Sequence, residues 1–170
     1  MDQSRHAHSV VSRAAELASL LREDLVVLTV LDPDPMKKSN IDEERNRISS
    51  FHRELIFKHF SKNGLAVESS DSSGPVYLYK PAGIRIHLKS IAGSPVESIC
   101  TFADQVNADL VIVGNRGLGG VGGLVLGSVS ERVVHKCTRT VMVVKGESLE
   151  KSDWESILDS QGSHHGFRTV

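Results

Sequence analysis

LVIVGNRGLGGVGGLVLGSVSERVV (Leu110–Val134) passes from a continuous apolar run, through a stretch dominated by glycine, into a segment with helical spacing. A β-branched and leucine run without polar alternation suits a strand covered on both faces, as in a parallel sheet. Residues from about Val129 to Lys136 read as the helix that follows. Strand, glycine turn and helix make up the unit that builds open α/β sheets, in which ligands bind at the carboxyl ends of the strands.

The same alternation extends outward. Val10, Ala14, Leu17, Ala18 and Leu21 repeat at helical spacing, which predicts an amphipathic helix from about Ser4 to Arg22. DLVVLTVL (Asp24–Leu31) is a buried strand closed by Asp32-Pro33, and Ile41–Lys62 is a second helix carrying Ile48, Phe51, Leu55, Ile56 and Phe60. IRIHLKS (Ile84–Ser90) is a strand, and Ser94-Pro95-Val96-Glu97 supplies an N-cap, a proline at the first helical position and a capping-box glutamate for a third helix. TVMVV (Thr140–Val144) is the last strand. Together these predict an open, doubly wound parallel sheet with helices on both faces. Residues 65–83 interrupt the pattern with AVES and VYLY around a turn-rich centre, and read as a surface hairpin inserted outside the core. One domain is expected over residues 1–146. The polar residues 147–170, with only Trp154, Ile157 and Leu158 at helical spacing, read as a flexible tail.

Composition narrows the functions. The 170 residues hold 20 basic and 21 acidic side chains, a formal net charge of -1, so no overall field draws the chain to nucleic acid or an anionic membrane. The apolar runs are far shorter than the roughly 20 residues of a membrane span, and MDQSRHAHS lacks the apolar core of a signal peptide, so a cytoplasmic protein is expected. Cys100 and Cys137 lie in apolar helical patterns without metal spacing, which suits buried thiols in a reducing compartment. His6 with His8, and His164 with His165, have no Cys or carboxylate at ligand spacing, and no metal site is expected.

Gly114–Glu131 is therefore the candidate site. A turn into a helix N-terminus offers unpaired backbone N–H groups and a positive dipole end, and glycines let the backbone approach phosphate oxygens closely. Ser128 and Ser130 can donate hydroxyls and Arg116 adds a fixed charge. Structural alternatives stand beside this reading: Ser128 with Glu131 matches a capping box, and glycines also suit a solvent loop. GLGGVG (Gly117–Gly122) has dinucleotide-fingerprint spacing, but no helix opens on it and no acidic residue follows on a second strand. A Walker pattern is absent, since no Lys-Ser or Lys-Thr follows the glycines.

Gly114, two residues, Gly117, nine residues, then Gly127-Ser128 resembles the G-2x-G-9x-G-S/T motif of the ATP-binding branch of the universal stress protein family. DLVVLTVLDP, AGSPVESICTFADQVNADLVIVGNRG and SVSERVVHKCTRTVMVV are similar to further family segments, so the resemblance covers roughly Asp2–Lys145 outside the insertion. It implies the adenine nucleotide alpha hydrolase-like fold with flavodoxin-like strand order. It also implies ATP, with or without Mg²⁺, across the carboxyl ends of the sheet. Val113, Gly114, Arg116, Gly117, Gly127, Ser128, Val129 and Ser130 would contact ribose and phosphates, Val30 and Asp2 would lie on the adenine side, and Thr140–Val144 would form a homodimer interface. Members open with a strand before the residue matching Asp2, and that first strand is missing from the sequence as it stands. Three functions compete: a regulatory ATP-binding module, a slow ATP-hydrolysing enzyme, for which no catalytic base is evident, and a dimeric interaction protein that binds no nucleotide.

Overall fold

A computed structural model describes residues 5–31, 41–60, 64–71, 74–115 and 126–145. Helix α1 (Arg5–Leu21) buries Ala7, Val11, Ala14, Ala15 and Ala18, one stripe at helical spacing, and ends where Arg22 takes a φ of 59°. Strand β1 (Leu25–Leu31) follows, then α2 (Ile41–His59), which turns Ile48, His52, Leu55 and Ile56 inward. The helix ends three residues before the predicted Lys62.

Residues 65–83 hold a hairpin, β2 (Leu65–Asp71) and β3 (Gly74–Tyr79), with a bulge between Val67 and Ser69. Its position differs from the expected surface insertion. Strand β3 pairs antiparallel with β4 (Ile84–Ala92), and Val76 and Tyr77 are buried, Tyr77 within the main core beside Ile84, Ile86 and Leu88. Tyr77 stands in an apolar run, Val76–Tyr79, without the polar alternation that would mark which face is core, and its ring packs edge-on against Phe57 of α2. Gly74 is fixed by space as well as by its φ of +130°, because a Cβ there would lie 1.9 Å from the carbonyl oxygen of Leu88.

Strand β4 alternates strictly, with Ile84, Ile86 and Leu88 buried and Arg85 exposed, and runs parallel to β1 in the register Leu25↔Ile86 to Leu31↔Ala92. Helix α3 (Pro95–Gln105) leads to β5 (Leu110–Gly114), and α4 (Ser128–Lys136) to β6 (Thr140–Val144), which pairs parallel with β5. Helices α1 and α2 pack together, as do α3 and α4. The fold is α/β with parallel pairs at its centre.

The strands form two sheets, one in the order β1-β4-β3-β2 and one of β5-β6. Among the described residues no strand lies between β1 and β5, which is where the flavodoxin-like order places the first strand. The two sheets are joined through α1, which packs on β1, β5 and β6. The segment Val76–Tyr79 does not fill that place; it extends the opposite edge. All five residues of β5 are only partly buried, as expected for a strand bonded along one side.

Candidate functional site

The glycine-rich turn is closed at its base by backbone bonds. The Asn115 N–H donates to the Val144 carbonyl at 2.9 Å, carrying the β5-β6 ladder one residue past Gly114, and the Gly127 N–H donates to the Asn115 carbonyl at 2.7 Å. These two bonds bring the ends of the turn together. Asn115 was not singled out in the sequence, and a role played by its main chain leaves no side-chain signal to find.

Gly127 is the N-cap of α4, with φ −65° and ψ 151°. That conformation is open to any residue, so the glycine is not demanded by its backbone angles; what it contributes is the absence of a side chain at the helix end. The alternative reading of Ser128 and Glu131 as a capping box is not met: Ser128 is the first helical residue, and no side chain among the described residues caps α4. The first intrahelical bond is from the Glu131 N–H to the Gly127 carbonyl at 2.9 Å, so the N–H groups of Ser128, Val129 and Ser130 precede the helical ladder. Ser128 is exposed and Val129 is 39% exposed.

Ser130 is placed differently from the expectation that it donates to phosphate. It is buried, and its hydroxyl donates to the Gly114 carbonyl. Its proton is committed to holding the first turn of α4 against the end of β5. Val113 and Gly114 pair with Val143 and Val144 in the two-stranded sheet. Val30 sits at the carboxyl end of β1 opposite Ile91, in the other sheet, so it and the turn are not neighbours through strand pairing. Asp2, Arg116 and Gly117 lie outside the described residues, as does the tail from residue 147.

Charge around the turn is uneven. Glu131 stands in the first turn of α4, where it opposes a bound anion, and His135 and Lys136 stand in the last, where they complement the dipole. Helix α4 is held by Glu97 of α3, which accepts hydrogen bonds from Lys136 Nζ at 3.0 Å and Arg132 at 3.4 Å. Glu97 also accepts from the Ser94 hydroxyl, so the Ser94 side chain is spent on this carboxylate and makes no cap bond to a backbone N–H of α3, and the expected capping box does not form there. The Ser94 and Lys136 hydrogen bonds lower the Glu97 carboxyl to about 2.

Two surface depressions lie away from the turn. One of about 530 Å³ is lined by Ser50, Arg53, Phe57 and Lys58 on α2, and one of about 300 Å³ by Ile91, Glu97, Thr101 and Phe102 between β4 and α3. Among the described residues no group of three or more His, Cys, Asp or Glu is arranged to hold a metal ion, and no helix is long and apolar enough to cross a membrane.

Residues 1–145 match the universal stress protein family. A universal stress protein of Methanocaldococcus jannaschii, MJ0531, is 40% identical over 68 residues, a match that spans 40% of this chain and 40% of that relative. A second one from the same organism, MJ0577, is 25% identical over 146 residues, 85% of this chain and 90% of that protein. The crystal structure of a universal stress protein in complex with cAMP superposes with a TM-score of 0.58 and 26% identity, covering 86% of this chain and 93% of the other. With its first 145 residues matched and its fold shared, the chain belongs to the universal stress protein family.

Proposed function

We propose that residues 1–146 form an ATP-binding regulatory domain in which the nucleotide's phosphates rest on the turn between β5 and α4. The observation that carries this is the uncapped N-terminus of α4. Among the described residues its leading N–H groups have neither a side-chain cap nor an intrahelical acceptor, and helix dipole and donors together suit an anion. Gly114 and Gly127 carry no Cβ to hinder close approach, and Ser128 is exposed beside them. Arg116 and Gly117 belong to the same proposed site by motif, Val129 to the ribose, and Asp2 and Val30 to the adenine. The cAMP complex of a relative favours an adenine nucleotide over other anions. Mg²⁺ would arrive on the phosphates, since no carboxylate cluster among the described residues is arranged to hold it.

Binding in place of turnover is proposed because no general base is evident beside Ser128 among the described residues; nucleotide occupancy would change shape or partner choice. The edge of β6 is the proposed homodimer interface and the cytoplasm the proposed compartment. A second reading, a dimeric interaction protein without nucleotide, is favoured by the separation of β1 from β5, which divides the adenine-side residue Val30 from the turn.

Calorimetry on Gly127→Val with Ser128→Ala tests the site. Neither change strains the backbone, because Gly127 has ordinary angles and Ser128 is exposed. Loss of ATP binding by a folded variant is expected; wild-type affinity would place the nucleotide elsewhere. No binding by the wild-type chain itself would favour the second reading.

A further inference from the structure

Two thiols far apart in the chain meet between α3 and α4. Cys100 lies in the middle of α3 and Cys137 is the C-cap of α4; both are free and partly buried, and the contacts on either side of them place the two on facing sides of the α3–α4 seam. Flanking contacts fix this facing. One turn before Cys100, Glu97 binds Lys136 at 3.0 Å; one turn after it, Asp104 accepts from Thr138 Oγ1 at 2.7 Å and from Arg139 Nε at 2.8 Å. Positions 97, 100 and 104 share one helix face, and their partners 136, 137 and 138 follow in chain order along it. Beneath them Val96 and Val133 are buried, so the thiols sit at the rim of a packed interface, between two clamps.

We propose that Cys100 and Cys137 are a reversible disulfide-forming site, oxidised by low-molecular-weight disulfides such as oxidised glutathione. The Cys137 thiolate attacks one glutathione sulfur, forming a mixed disulfide and expelling a glutathione thiolate. Cys100, losing its proton, then attacks the Cys137 sulfur and expels the second glutathione. The protein dithiol loses two electrons and two protons, and the external disulfide becomes two thiols. The order follows from environment. Burial, then the neighbouring Cys137 and Asp104, push the Cys100 thiol up to about 11, against a smaller opposing effect of Lys136, so Cys100 is the poorer first nucleophile and the natural resolving partner. The closed ring encloses β5, the glycine-rich turn and α4.

The test uses the full chain, which holds no other cysteine. After incubation with excess oxidised glutathione and alkylation, mass spectrometry is expected to find both thiols protected and a cross-linked peptide joining Cys100 to Cys137. The unfolding midpoint should rise by about 5–10 °C and return on reduction. Cys100→Ser should stop at a stable mixed disulfide on Cys137, while Cys137→Ser should be glutathionylated far more slowly. Two alkylatable thiols after treatment, mixed disulfides at both positions without the cross-link, or cross-links only between chains would each overturn the proposal.

Discussion

Ser130, in the first turn of α4, donates its hydroxyl to the carbonyl of Gly114, the last residue of β5. This bond spans the base of the glycine-rich turn and fixes where the leading N–H groups of α4 stand. Ser130→Ala removes a buried donor and leaves that carbonyl unpaired, a cost of about 1 kcal/mol, or a fall of about 2–4 °C in the unfolding midpoint. Ser128→Ala, two residues earlier and exposed, should leave the midpoint unchanged and weaken ATP binding about tenfold. Calorimetry and thermal unfolding on the two variants separate the roles; identical behaviour of both would refute the division.

His52 predicts acid sensitivity. Its ring lies within 2.6 Å of the Thr29 hydroxyl, it is 1% exposed, and burial lowers its pKa to about 4. A folded pKa below the unfolded value means that the unfolded chain binds more protons between the two. The stabilisation is complete above about pH 6.5 and is lost as pH falls toward 4. About 2 kcal/mol should disappear between pH 7 and pH 5. His8 and His59, both lowered first by burial, act in the same direction. Urea midpoints across this range should fall steeply for the wild type and less so for His52→Asn; parallel slopes would assign the sensitivity elsewhere.

The edge of β6 carries the dimer prediction. The Val144 carbonyl points to β5, where Asn115 reaches it, so by alternation the backbone groups of Val143 point outward. Proline at Val143 therefore deletes an outward donor and spares the β5-β6 ladder. The wild type is expected to be dimeric by light scattering and Val143→Pro monomeric. A dimeric variant would move the interface to another surface.

The separation of β1 from β5 makes a prediction about an added strand. A β-branched segment of about six residues joined ahead of Met1 should enter between them, pairing with both and covering the partly buried face of β5. Backbone pairing on both sides and burial of apolar edges should raise stability and ATP affinity, and sharpen preference for ATP over GTP. Unchanged urea midpoint and unchanged nucleotide preference would show that this gap does not accept a strand.

By itself the sequence determined the alternation of helices with apolar strands, the position of the glycine turn, and hence the carboxyl end of Leu110–Gly114 as the candidate site. These are local properties: hydrophobic period, proline and glycine at boundaries, and motif spacing along one stretch of chain. Only the tertiary structure decided what depends on packing between distant segments. Tyr77 became core because β3 joins β4, Ser130 became a tether because α4 folds back on Gly114, and His52 found Thr29 across α2 and β1. The facing of Cys100 and Cys137 arises in the same way, from the register of α3 against the end of α4. The division into two sheets belongs with these, because a strand's pattern specifies that its faces are covered, and not which neighbour stands at each edge.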